Sequence, residues 1–281
     1  MKVALDAGHG SETAGKRTPE GYREHWINVA CASLCEQALN RCGIQVFRSG
    51  WDDTISTDDV DISIGTRQRN IKAAGCDVSV SIHANAHGDG KSYTSANGIE
   101  TFYHINPSKI LDSVSLAKCI QKNIIQGTPQ RNRGVKQQDL GMCNAYALGV
   151  RAAVLTEIGF MTNKVEVDLM QDSNFLKETA EEIAKGICEY LNVPYVNPNN
   201  TANKIEQAPI VQNNSKFPYR VRITANVLNV RKGPSVLNGI VRTVKQKEVY
   251  TIVDEKNGWG LLISYASKRN GWINLKYTSK L

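Results

Sequence analysis

The sequence predicts an α/β protein, a twisted, mixed and largely parallel sheet flanked by helices, joined to a small all-β barrel. Three observations carry that expectation. Strand-length apolar runs alternate with helix-period segments over residues 1–193, an Asn- and Pro-bearing stretch without periodicity fills 194–216, and short alternating runs broken by turn residues occupy 217–281. A length of 281 residues suits one sizeable domain and one smaller one.

In chain order, residues 2–6 (KVALD) are the first strand, and Gly8 and Gly10 bracket the loop that follows. Apolar positions at Trp26, Val29, Ala30, Leu34 and Ala38 have helical spacing, which predicts a helix over 22–42 that Gly43 stops and that carries Glu24 in its first turn. Residues 44–47 form a second strand, 51–61 an acidic loop, and 62–74 a helix ended by Gly75. The run VSVSIHAN at 78–85 reads as a buried strand closing on His83, with a further strand at 98–104 and a helix at 108–126. After the polar run QGTPQRNRG comes a poorly patterned segment. Then AAVLTEI at 152–158 has the continuous apolar character of a strand buried on both faces, and helices at 164–170 and 173–191 close the domain near Pro194. In the tail, VRITANVLNVR, IVRTVK, VYTIVDEK, WGLLIS and GWINLKYT alternate as short strands between GPS and NGW turns.

Composition narrows the function classes. Residues 216–281 hold 13 Lys and Arg against 3 Asp and Glu, a net of +10, while residues 1–215 carry −3, so any acidic partner is engaged by the tail. No run of eighteen apolar residues occurs, which argues against membrane insertion. The start MKVALDAGHG enters a strand directly, so a cytoplasmic product without a signal peptide is expected. Seven scattered cysteines without a C-x-x-C pair read as reduced, buried small hydrophobes, Cys31 and Cys35 included. A nucleic-acid-binding tail would need aromatic stacking positions interleaved with Lys and Arg, for which the sequence gives no specific support, and Thr13 stands where a dinucleotide fingerprint needs its third glycine.

Three polar residues share one placement. His9 follows the first strand, His83 ends VSVSI, and Glu157 lies near the end of AAVLTEI. If these strands run parallel, their carboxyl ends open on one sheet edge, where α/β proteins bind ligands. Two histidines and a carboxylate suit a zinc ion that keeps a position for water. Glu24, favoured as an anion by the helix dipole, suits a permanent ligand, while Glu157, in an apolar run that raises its proton affinity, suits a general base and acid. Each also has a plainer reading: His9 as filler of a Gly-rich turn, Glu24 as a solvated helix-start charge, Glu157 as partner of Arg133 or Arg151. His83 and His87, four apart on a strand, are separated by about 13 Å, too far to share one ion. His25 points away from Glu24 on the helix, and His104 ends a strand with no partner evident from the sequence.

Five segments, DAGHG at 6–10, Glu24 at a helix start, SIHANA at 81–86, RGVK at 133–136 and AVLTEIGFMTN at 153–163, resemble the zinc-dependent N-acetylmuramoyl-L-alanine amidases of the amidase-3 family, over about the first 190 residues. The resemblance implies a zinc ion (Zn2+) on His9, Glu24 and His83, Glu157 as the catalytic glutamate, Arg133 as a contact for peptide carboxylates, and cleavage between N-acetylmuramic acid and L-alanine of the stem peptide. Residues 140–144 (LGMCN) depart from the family's more hydrophobic pattern, which bears on the cleft wall. The tail resembles bacterial SH3 domains through VLNVRKGPS, NGWG and GWINLKYT, implying docking on peptidoglycan and on anionic wall polymers of a Gram-positive host. The pairing resembles that of a phage or prophage endolysin, which implies a product made in the cytoplasm and released through a holin. A cellular autolysin and a zinc peptidase of the stem peptide are the alternatives, and oligomeric state is left open.

Overall fold

The computed structural model describes residues 1–52, 56, 59–198, 219–263 and 271–280. The chain divides into two compact units, Met1–Ile205 and Glu206–Leu281. Most of the predicted linker at 194–216 lies outside the described residues.

The first unit runs β1 (Lys2–Ala7), α1 (Glu24–Arg41), β2 (Gln45–Ser49), α2 (Ile64–Ala74), β3 (Val78–Asn85), β4 (Ile99–Tyr103), α3 (Ile110–Gly127), β5 (Asn132–Gln137), α4 (Ala145–Leu148), β6 (Ala152–Phe160), α5 (Lys164–Met170) and α6 (Ser173–Leu191). One six-stranded sheet has the order β2-β1-β3-β6-β4-β5. β2, β1, β3 and β6 are mutually parallel, as helical crossovers require, while β4 pairs with β6 antiparallel and with β5 parallel.

Strand alternation sets the layers. Val3, Leu5, Val78, Val80 and Ile82 share a core with Ile27 and Leu39 of α1, Ile120 of α3 and Ile183 and Ile187 of α6. Ala4 and Ala153, from the alternate positions, pack with Ile71 of α2 and Leu148 of α4. In β3 the same period turns Ser79, Ser81 and His83 away from the first core. α3 and α6 approach closely because residue 186 is glycine: a Cβ there would come within 2.6 Å of the Ile120 Cα.

Differences from the sequence expectation have identifiable causes. β5 falls on the polar run and the segment that shows no pattern. It is an edge strand, paired to β4 alone and partly exposed along most of its length, so no apolar alternation marks it. β6 runs two residues past Ile158, through Gly159 at φ +143°, where the pairing with β3 shifts register between His83 and Asn85. That bulge lies next to Glu157.

The second unit contains β7 (Tyr219–Ile223), β8 (Val227–Arg231), β9 (Ile240–Lys245), β10 (Val249–Lys256), β11 (Trp259–Ile263), β12 (Gly271–Asn274) and β13 (Thr278–Lys280), all paired antiparallel in the order β13-β7-β10-β11-β12-β8-β9. Val221, Ile223, Leu228, Val230, Val244, Ile252, Leu262 and Ile273 form its core. The expected single run 221–231 is two strands separated by residues 224–226.

Candidate metal centre

The parallel neighbours β1, β3 and β6 bring their carboxyl ends to one edge, and three side chains meet there. The Gly8 amide donates to the Ile82 carbonyl at 3.0 Å, keeping the chain beside β3 as it leaves β1. His9 then turns into the left-handed region at φ +65°, uncommon for a residue with a Cβ. Arg67 of α2 secures that turn. Its Nη2 donates to the His9 carbonyl, its Nη1 to the Ala7 carbonyl at 2.7 Å and to Asp6 at 2.9 Å, and its Nε to the Ile62 carbonyl at 2.8 Å. Asp6, buried in β1, also accepts from Ser49 and Ser81, so its charge is fully compensated.

Glu24 opens α1, where the helix dipole favours an anion, and is 2% exposed. Its Oε2 lies 3.2 Å from His9 Nε2 and its Oε1 3.0 Å from His83 Nδ1. The two imidazoles stand edge to face with centroids 4.8 Å apart. Taken together, the donor atoms of His9, Glu24 and His83 all lie within 4.8 Å of one another. Burial works to raise the Glu24 carboxyl, but hydrogen bonds and charge from His83 and His9 outweigh it and hold it well below the usual carboxylate range. For His83 burial works the other way, and the Glu24 carboxylate wins, raising the imidazole above its ordinary value. The plainer reading of Glu24 as a solvated charge is therefore excluded by its burial and partners.

Two imidazole nitrogens and a carboxylate oxygen gathered at one point form a donor set suited to a divalent transition metal. The backbone is shaped around it as well. A Cβ at position 8 would come within 2.2 to 2.5 Å of three His83 ring atoms, so only glycine lets β1 pass this imidazole. His9 and His83 keep 19% and 13% of their side-chain surface exposed, leaving the centre open to solvent on one side.

Glu157 stands directly across from His83 on one side and from Glu100 on the other. Its Oε2 is shut off from solvent and has no hydrogen-bond partner among the described residues. Burial pushes its carboxyl up to about 8; the charges of Glu24 and Glu100 act in the same direction, and that of His83 opposes them. Neither arginine named by the plainer reading pairs with it: Arg151 lies over the Tyr190 ring and Arg133 bonds elsewhere.

The sign of the Glu157 shift yields a test on metal-free protein. Between its ordinary value of 4.5 and about 8, the folded state holds a proton that the unfolded chain has released. Stability is therefore lost as pH rises through this window, by up to roughly 1.4 kcal/mol per pH unit from this group. Glu157→Gln removes that slope. Near pH 4 the variant and the parent melt alike, and by pH 8 the metal-free variant melts higher; a parent that melts higher at pH 8 contradicts the assignment.

Arg133, expected to contact substrate carboxylates, is engaged internally. Its Nε donates to Glu100 at 2.8 Å, its Nη1 faces the Asn97 carbonyl at 3.3 Å, and its guanidinium lies over the Phe160 ring. Lys136 meets the same Glu100 carboxylate, and Asn85 donates to its other oxygen at 2.6 Å. His87 lies beyond β3, its amide donating to Thr162, and His104 finds a partner in Asp139 at 2.7 Å. The sequence marks Gly8 only as one bracket of a loop and does not single out Arg67 or Glu100. The one available signal was Asp6, a carboxylate in an apolar strand that had to find a buried cation.

The chain as a whole has relatives. Residues 3–189 match the N-acetylmuramoyl-L-alanine amidase family. The chain belongs to that family. Amidases of this family are metal-dependent, and residues 226–279 match the bacterial SH3 domain. The uncharacterised protein YqiI of Bacillus subtilis is 30% identical over 188 residues, 67% of this chain and 84% of that protein. The endolysin of Bacillus phage SPP1 is 29% identical over 197 residues, 68% of this chain and 66% of its own length. Among solved structures, the catalytic domain of CwlV, an N-acetylmuramoyl-L-alanine amidase from Bacillus (Paenibacillus) polymyxa, is 28% identical with a TM-score of 0.58. That match covers 69% of this chain and 99% of the CwlV domain. The amidase match ends at residue 189, close to the end of α6.

Proposed function

We propose that this chain hydrolyses the amide between the lactyl group of N-acetylmuramic acid and L-alanine in peptidoglycan, with zinc held by His9, Glu24 and His83 and with Glu157 as general base and acid. The observation that carries this reading is the convergence of three donor side chains at the strand edge with a proton-retaining carboxyl directly across from one of them. A zinc ion there supplies Lewis acidity, polarising the scissile carbonyl and lowering the pKa of water. His9 and His83 donate neutral nitrogens, while Glu24 supplies the negative charge that retains a dication. Glu157 takes the proton from the attacking water and returns it to the leaving amine, a task for which a carboxyl near neutral pKa is suited. Arg133 and Lys136 offset the charge of Glu100 on that edge of the sheet.

The basic tail supports docking of the SH3 unit on an anionic wall. Lysis of a Gram-positive host, by a protein made in the cytoplasm and acting on the wall after its release, belongs to the same proposal and draws on the likeness to a phage endolysin. The test is the mass of products from purified wall. Stem peptides with a free L-alanine amine, together with glycan strands bearing intact lactyl groups, are expected. Free amino acids or split crossbridges with peptide still joined to glycan would identify a stem-peptide peptidase instead.

A further inference from the structure

α1 places a second buried histidine one residue after Glu24. His25 has no exposed surface. Its Nδ1 lies 2.8 Å from the Gly8 carbonyl and its Nε2 2.8 Å from Asp59 Oδ2. A carbonyl only accepts, so Nδ1 carries the hydrogen and the opposite end of the ring faces the carboxylate.

Both ends lead to the metal centre. On one side, Gly8 is the residue that lies against the His83 ring with no room for a Cβ. Asn28 donates to the same Gly8 carbonyl at 3.1 Å and reaches Glu24 Oε1 at 3.4 Å. On the other side, the Asp59 carbonyl accepts from the Ser11 amide at 3.0 Å and from Ser11 Oγ at 2.9 Å. A Cβ at Gly10 would come within 2.4 Å of the Asp61 amide nitrogen, so the 59–61 backbone lies directly on the turn that follows His9. The turn is thus held between α1 and residues 59–61, and the His25 ring spans the two.

We infer that His25 and Asp59 are a positioning pair for the metal centre, fixing the Gly8–Ser11 turn so that His9 and His83 both reach Glu24. The inference rests on His9, Glu24 and His83 being the metal ligands. His9 sits in a sparsely populated backbone region that persists only where its surroundings hold it, and releasing the turn lets it relax away from Glu24. Partners one shell beyond the ligands typically govern metal affinity by about 10–100-fold.

The experiment compares the full chain, His25→Gln, Asp59→Asn and the double variant. It measures zinc affinity by chelator competition, the visible spectrum of the cobalt-loaded forms, and the melting temperature of the metal-free forms. Each single variant is expected to bind zinc about 10–100-fold more weakly and to shift the cobalt bands, with the metal-free form melting lower, because the pair is buried, yet folded at the assay temperature, and with the double variant no weaker than the worse single one. His104→Gln, whose imidazole meets exposed Asp139, is expected to bind zinc as the parent does. Should His25→Gln fail to fold, Asp59→Asn, which preserves shape, decides the matter. Zinc affinity within twofold of the parent in folded variants overturns the inference, as does a weaker affinity that leaves the cobalt bands where the parent has them. A parent chain that takes up no zinc overturns the metal reading itself and the inference with it.

Discussion

Glu157→Gln is expected to lower hydrolysis of purified wall by about 100- to 10,000-fold, the range that a positioned general acid and base supplies, while zinc content per chain stays at the parent's value. Glutamine keeps the volume of the side chain and an acceptor oxygen but cannot take a proton from water or return it to an amine. Glu157 is outside the group of three donors, so the metal has no reason to leave with it. Its Oε2 makes no hydrogen bond among the described residues, so the substitution breaks no bond at that atom. The two readouts are metal analysis and the rate of wall clearing. A variant that clears walls within tenfold of the parent shows that another group moves the proton, and a variant that loses zinc shows that Glu157 is a ligand.

His83→Ala is expected to lose the metal and, with it, all measurable hydrolysis. Removing one of the three proposed ligands goes beyond the roughly 10–100-fold that outer partners contribute to metal affinity. The variant also leaves Glu24, 2% exposed, with His9 as its one remaining imidazole partner. Breaking a buried charged pair by removing one member costs about 3–5 kcal/mol unless the carboxyl takes up a proton, so the metal-free variant should melt below the metal-free parent at neutral pH. As the pH falls below about 4.5, the unfolded chain takes up a proton that the folded parent's Glu24 does not, so the parent loses this advantage and the gap should narrow. Full zinc content in a folded His83→Ala protein would remove His83 from the ligand set.

His83 and Glu157 differ in how well local sequence announced them. His83 lies near the end of a strand whose alternating valines and serines fix its face, so its position at the sheet edge follows from a two-residue period. Glu157 interrupts an apolar run, and a carboxylate there had to be either paired or chemically used. Glu24 was less legible: a glutamate at a helix start has a solvated reading in most proteins, and only the approach of β1 and β3 to the start of α1 buries it between two imidazoles. Arg133 shows the reverse case. Its expected role came from a motif, and the fold gives its guanidinium to Glu100 on the neighbouring strand. β5 itself was missed because an edge strand with one partner carries no apolar alternation.

The sequence by itself determined the α/β class, the order of its helices and strands apart from β5 and the short α4, the two-part organisation and the residues that belong at one sheet edge. Those features depend on periodicities of two and 3.6 residues and on turn chemistry, which are local. Tertiary structure alone decided how the edge is completed. The antiparallel β4 puts Glu100 across from Glu157, Arg67 secures the strained His9 turn, Gly8 yields to the His83 ring, and His25 joins that glycine to Asp59. Each of those contacts joins residues at least 17 positions apart, and a contact of that kind exists only after the chain has packed.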